Sequence, residues 1–243
     1  IESLAYLEER GDHLRVGALC RHADMAESAM IAADYGAFAD AAPEVADPLV
    51  RNRGTVAGSV AHADPAGDWG AVLIAHEGTV VARGPDGQRE IPADEFFVLP
   101  FDTTLEDGEL VTELAVPVPG DREGSSYRKL KRKVGDFAAV GVAARLSIDA
   151  DGTIADAGIG LAAVDIANVR APQAEAALVG ERPGPEAFRA AGEAAREECN
   201  PESDAHGSER YKRNMVERLT QEALADAAER TGAVTIEREV AAP

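Results

Sequence analysis

Val50-Arg51-Asn52-Arg53-Gly54-Thr55-Val56-Ala57-Gly58-Ser59, continuing through His62-Ala63-Asp64-Pro65-Ala66-Gly67-Asp68, is the stretch that decides how the rest of the chain is read. Its local reading is a short strand running into a bend of Ala57, Gly58 and Ser59. Small side chains at such a bend let backbone N–H groups approach an anionic group, and Ser59 adds a hydroxyl donor. Asp68, nine positions after Ser59, brings a carboxylate of the kind that accepts hydrogen bonds from ribose hydroxyls. Spacing alone leaves a second reading open: a tight turn between strand and helix with nothing bound, since glycine-rich turns are common.

Before this stretch, Leu14, Val16 and Ala18 alternate with Arg15 and Gly17, as in a half-buried strand, and the Ala-rich run from Ala23 to Val45 predicts one or two helices. After it, Trp69 to Ala75 is apolar enough for a short helix. Thr79–Arg83 and Arg89–Ile91 flank the turn cluster Gly84-Pro85-Asp86-Gly87, which predicts a hairpin. Leu110–Val116 reads as another strand, closed by Pro117 and Pro119. The polar Gly120–Gly124 segment marks the best domain boundary. Three strand-like runs follow, Ser126–Lys133, Ala138–Ile148 and Thr153–Ala163, and then helical runs at Ala171–Val179, Pro185–Cys199 and Ser208–Arg230. The pattern is α+β, with strands in antiparallel groups rather than βαβ alternation.

The second chemically loaded segment is Tyr127-Arg128-Lys129-Leu130-Lys131-Arg132-Lys133, followed by Gly135-Asp136-Phe137-Ala138. As a strand it sets Lys129, Lys131 and Lys133 on one face and Leu130 on the other. A cation row of this kind stabilises negative charge developing on a neighbouring ring. It equally describes an exposed basic edge that discourages strand pairing.

Composition narrows the classes. The formal charge is −20, from 44 acidic against 24 basic residues, only four of them lysine. Binding to a phosphate backbone wants the opposite sign, so a nucleic-acid role is disfavoured. The acid is spread along the chain, as expected of a surface adapted to high salt, where screening suppresses self-repulsion. No apolar run approaches the ~20 residues that span a bilayer, and the residues after Ile1 lack a secretory pattern, so a cytoplasmic location is expected. Cys20 and Cys199 are too few and too distant for an iron–sulfur or structural zinc site. His13, His22, His76 and His206 are isolated in sequence and read as ordinary surface or packing residues, Trp69 reads as core, and no Ser or Cys has a base partner that marks a nucleophile.

The quoted stretch resembles the signature R-N-x-G-T-x-G-G-[SND]-x-x-x-x-x-P-x-x-D of the flavin-binding medium subunits of molybdenum hydroxylases, of the carbon monoxide dehydrogenase/xanthine dehydrogenase type. Further segments are similar in the same order. Leu14–Leu19 resembles L-R-[IV]-G-A-[LM], Phe96–Thr104 resembles the F-F-x-x-P-F-x-T-x-L stretch, and Gly108–Val111 resembles G-E-[LI]-[LIV]. Tyr127–Ala138 resembles Y-x-K-L-x-R-x-x-D-[FW]-A, and Ser203–Ser208 resembles S-D-x-x-G-S. The resemblance implies a p-cresol-methylhydroxylase-like FAD-binding subdomain over 1–119, with an antiparallel or mixed sheet and flanking helices. A C-terminal domain over 124–233 would follow, a three-stranded antiparallel sheet plus helices, and then a tail at 234–243.

Carried over by position, the resemblance implies that Thr55, Val56, Ala57, Gly58 and Ser59 approach the FAD diphosphate. His62 would lie toward the adenine, Asp68 on the ribose, and Leu110 and Lys129 beside the isoalloxazine, with Lys131 as the alternative lysine. The departure from the pattern is Ala57, which stands where the family has the first glycine of a pair. The family's A-G-G-x-[ST]-L-L-P-type loop has no counterpart in this sequence, which begins at Ile1. The expectation is therefore a chain without the first subdomain that retains FAD weakly or not at all. The resemblance further implies an electron-transfer subunit of a hetero-oligomer, bound to an iron–sulfur small subunit and a molybdopterin large subunit, with NAD, a quinone or oxygen as acceptor and no residue acting as acid or base. The alternative is a flavin-free scaffold bridging those subunits. An independent single-component flavin oxidase is a third reading.

Overall fold

The computed structural model describes residues 1–236, so most of the expected tail lies outside the described residues. The first half opens with a hairpin, β1 (Leu7–Arg10) and β2 (His13–Gly17), and continues through short helices α1 (His22–Glu27), α2 (Ala29–Asp34) and α3 (Gly36–Ala41). The sequence predicts one or two helices here. Three form because Ser28 ends α1 and caps α2, its Oγ accepting from Ile31 N at 3.4 Å, and because the chain leaves helical geometry again at Tyr35. Helix α4 (Pro48–Arg51) stands where a strand was expected. Proline at its first position and Asp47, which accepts from the backbone N–H groups of Leu49 and Val50, nucleate a helical turn instead.

Helices α5 (Val56–His62) and α6 (Asp68–Ala75) follow, then the predicted hairpin of β3 (Thr79–Gly84) and β4 (Gly87–Pro92). After α7 (Ala93–Phe96) and the small pair β5 (Phe97–Leu99) and β6 (Asp102–Thr103), strand β7 (Leu110–Pro117) runs between β2 and β3. The sheet order is β1-β2-β7-β3-β4, antiparallel throughout rather than mixed.

The second half is a sheet of β8 (Glu123–Leu130), β9 (Val140–Ile148), β10 (Ile154–Ala162) and a two-residue edge strand, β11 (Val169–Arg170). The edge strand makes four strands where three were expected, a short addition with no pattern of its own to read. One face is covered by α8 (Pro172–Ala176), α9 (Pro185–Glu198) and α10 (Glu209–Arg230), whose apolar residues, Phe188, Ala191, Val216 and Leu224 among them, form a core with Leu146, Ile159 and Leu161 of the sheet. Ser208 caps α10, as its place before Glu209 predicts.

Helix α6 joins the halves. All eight of its residues are buried, which fits a helix apolar on every side. It lies directly on β10: a Cβ at Gly160 would stand 2.0 Å from Ala71 O, and one at Gly158 1.9 Å from Ala75 O. The Arg145 guanidinium of β9 donates from Nε to Ala75 O at 3.0 Å, so the second half supplies a cap for this helix. Among the described residues no helix is long and apolar enough to cross a membrane.

Candidate functional site

The segment 54–59 is shaped by a backbone tie to the loop after β2. Arg21 and Thr55 form an isolated antiparallel bridge, Val56 N donates to Cys20 O at 3.0 Å, and His22 N donates to Gly54 O at 3.1 Å. The expected strand is reduced to this bridge. The expected bend at residues 57–59 is the first turn of α5, because Thr55 caps that helix, its Oγ1 accepting from Gly58 N at 3.1 Å. With its oxygen accepting, the Thr55 hydroxyl keeps its own proton to donate. Any Cβ at Gly58 would lie 2.7 Å from Thr55 Oγ1, and one at Gly54 would meet the His22 ring at 3.0 Å. Val56 and Ala57 point the other way and are buried in the first core. The Ala57 methyl thus packs in the interior on a backbone without positive φ, and the departure from the family pattern leaves the cleft wall open.

Asp68 starts α6 and is 6% exposed. The Tyr127 hydroxyl donates to its Oδ1 at 2.6 Å, and Lys129 Nζ donates to its Oδ2 at 2.9 Å and to Glu44 O at 3.1 Å. The Lys129 side chain is 2% exposed. Burial pushes the Asp68 carboxyl above the usual range, against the pull of Lys129 and Tyr127, and burial together with Asp68 pushes the Tyr127 phenol well up. Two donors on one buried carboxylate describe a satisfied ion pair, with Asp68 the anion.

These groups face one cleft of about 470 Å³, walled by Thr55, Gly58, Ser59 and His62 on one side and floored by Asp68 and Lys129. It adjoins a second recess of about 550 Å³ at Asp64 and Phe137. His62 sits at the outer wall, its ring centroid 5.0 Å from that of Phe101. The cationic row is not assembled as the sequence suggests. Strand β8 ends at Leu130, Lys131 turns away to pair with Glu44, and Lys133 is exposed beyond the strand, so Lys129 alone reaches the cleft. Leu110 is not brought there either: it is 71% exposed at the start of β7, in register with Arg83. An aliphatic side chain at a strand start reads alike in sequence whether it meets a ligand or solvent.

The cleft also contains a residue that sequence reasoning passed over. His22 is buried, its Nδ1 accepts from the Trp69 indole Nε1–H at 3.0 Å, and the two rings lie nearly parallel, 13° apart, with centroids separated by 6.0 Å. Burial, and secondarily the Arg51 charge, pull its pKa down to about 4, so the ring is neutral. The contact joins residues 47 positions apart, and no local pattern announces it.

Comparison with known proteins follows the same outline. Residues 1–119 match the family described as the FAD binding domain in molybdopterin dehydrogenase, and residues 125–227 match the CO dehydrogenase flavoprotein C-terminal domain. The chain is 37% identical to the nicotine 6-hydroxylase medium subunit of Paenarthrobacter nicotinovorans, over 95% of this chain and 81% of that protein. It is 36% identical to the carbon monoxide dehydrogenase medium chain of Hydrogenophaga pseudoflava, over 92% and 78%. The solved carbon monoxide dehydrogenase from Hydrogenophaga pseudoflava that lacks the Mo-pyranopterin moiety superposes with a TM-score of 0.91 at 39% identity, covering 95% of this chain and 80% of that one. Quinoline 2-oxidoreductase from Pseudomonas putida 86 gives 0.87 at 30% identity, over 96% and 80%.

Proposed function

The chain belongs to the FAD-binding medium subunits of molybdenum hydroxylase complexes, and from that membership we propose that it is an electron-transfer subunit. It takes electrons from an iron–sulfur small subunit, itself supplied by a molybdopterin large subunit, and delivers them to NAD, a quinone or oxygen. Regions 1–119 and 124–233 act as two domains, with the cofactor held where they meet. FAD, when bound, supplies the redox chemistry, and the protein supplies binding and electrostatics.

The observation that carries this reading is the single cleft to which the Thr55–Ser59 segment, Asp68 and Lys129 all contribute. The residues present fit a nucleotide. A side chain at position 58 would strike Thr55, the Thr55 hydroxyl proton is free, and Ser59 Oγ has no partner among the described residues. Thr55, Gly58 and Ser59 would hold the anionic part, with Val56 and Ala57 contributing backbone only. His62 would stand at the adenosine side. Asp68 would take a ribose hydroxyl through a lone pair left over from Tyr127 and Lys129. Lys129, already paired, holds the charge and orientation of Asp68 and leaves the floor nearly neutral, a milder electrostatic influence than an unpaired ammonium.

Titration of the full-length subunit with FAD, followed by gel filtration and visible absorbance, tests the binding half. Flavin should co-elute, and Gly58→Val should lose it with the fold intact. A folded but colourless full-length subunit at saturating FAD would favour the flavin-free scaffold. For the electron route, bleaching of the flavin bands by the complex's reducing substrate should require the iron–sulfur subunit. Bleaching without it would refute the route.

A further inference from the structure

We propose that His22 is a cofactor-binding residue, a fixed hydrogen-bond donor to the flavin nucleotide whose Nε2–H is presented to the cleft by the indole of Trp69. This rests on the reading of the cleft as the flavin site.

An indole nitrogen only donates, so the His22 Nδ1 that receives it carries no proton. In a neutral imidazole the proton then sits on Nε2. Nε2 is near Gly54, where a Cβ would approach it to 3.0 Å. It donates no hydrogen bond to the described residues, and it is not among the buried polar atoms left without partners. It is therefore an accessible donor inside a cleft wall, a group that is paired by water or by a ligand acceptor.

The ring has little freedom. The His22 backbone is tied to Gly54 O, its Nδ1 edge is held by the Trp69 indole with the two rings only 13° from parallel, and Trp69 is itself buried against Phe38 at 6.0 Å between centroids. A donor held this rigidly loses little entropy on binding. Trp69 also follows Asp68 directly, so the first turn of α6 sets both sides of the cleft: Asp68 fixes Lys129 in the floor, and Trp69 fixes His22 in the wall. The matching ligand atom is an acceptor only, a carbonyl oxygen, an unprotonated ring nitrogen or a phosphate oxygen, all of which a flavin nucleotide carries.

FAD affinity of the full-length subunit, measured by flavin fluorescence anisotropy beside a thermal melt, tests this. His22→Phe keeps the ring and removes the donor, and should raise Kd about tenfold or more, the loss expected for one buried donor. His22→Gln places an amide N–H near the Nε2 position and should bind within about threefold of the wild type. Wild-type affinity in His22→Phe, with wild-type flavin binding established, overturns the proposal and leaves the flavin site standing. Absence of flavin binding by the wild type overturns both. If His22→Phe does not fold, ¹⁵N spectra of the histidine rings in the wild type decide. The His22 ring should be the Nε2–H tautomer with a signal that moves on FAD addition, and an Nδ1–H tautomer or an unmoved signal refutes the assignment.

Discussion

Asp68 and Lys129, 61 residues apart in the chain, meet at 2.9 Å in the floor of the cleft, one at the start of a helix from the first half and the other near the end of a strand from the second. The Tyr127 hydroxyl completes the carboxylate's partners. The pair makes the cleft a property of both halves together, since neither retains a satisfied floor without the other. It also neutralises the one lysine of the basic run that reaches the cleft, while Lys131 pairs with Glu44.

Breaking that pair from one side should be costly. Lys129→Met leaves a buried carboxylate with the Tyr127 hydroxyl as its one side-chain donor, and a loss of about 3–5 kcal/mol is expected. Combining it with Asp68→Asn should recover a large part of the loss, because no charge is then stranded. Urea denaturation of the two single variants and the double variant measures this, and strictly additive losses would contradict it.

Acid should weaken the fold through two imidazoles. Burial lowers the pKa of His22 and of His76 to about 4, so the unfolded chain binds their protons first. Their contribution is complete above about pH 6.5 and is lost as the pH falls toward 4, up to about 3 kcal/mol for each. The carboxyls raised by burial, Asp68, Glu123 and Glu175, act in the opposite direction. The His22 share is isolated by comparing the wild type with His22→Asn, whose Oδ1 still receives the Trp69 indole. The stability difference between them should shrink by roughly 2–3 kcal/mol between pH 7 and 4.5. A constant difference would rule the assignment out.

The seating of α6 on β10 predicts a sharp contrast between glycines. Gly160→Ala drives a methyl into Ala71 O and should destabilise by about 1–3 kcal/mol or more, since backbone on both sides resists moving. At Gly120 a Cβ meets nothing within 4 Å, and Gly120→Ala should stay within about 0.5 kcal/mol of the wild type. Thermal melts of both variants check the contrast, and a harmless Gly160→Ala would show that the contact can open.

Salt should stabilise the chain. At a formal charge of −20 the folded state carries substantial self-repulsion, which screening relieves. The melting temperature should climb as potassium chloride is raised from 0.1 to 2 M, and a flat profile would exclude adaptation to high salt.

Much of this protein was legible as a string. The hairpin across Gly84–Gly87, the strand at Leu110, the Asp149–Gly152 turn and the last two helices all follow from periodicity and punctuation, because those signals act between neighbours in sequence. Motif order over separated segments sufficed to place the chain in its family. Less legible were Pro48–Arg51, whose Asp-Pro cap outweighs a strand-like composition, and β1, an exposed edge strand with scarcely any alternation.

By itself, then, the sequence determined the fold class, the family and the presence of Thr55, Gly58, Ser59, Asp68 and Lys129 as candidates. Tertiary structure alone decided which of them share a cleft, that Lys129 arrives paired while Lys131 and Leu110 stay away, and that His22 joins through Trp69. The physical reason is range. Helix, strand and turn preferences are set by residues a few positions apart, whereas the charge state of a lysine or the tautomer of a histidine is set by whatever folding brings within hydrogen-bond distance.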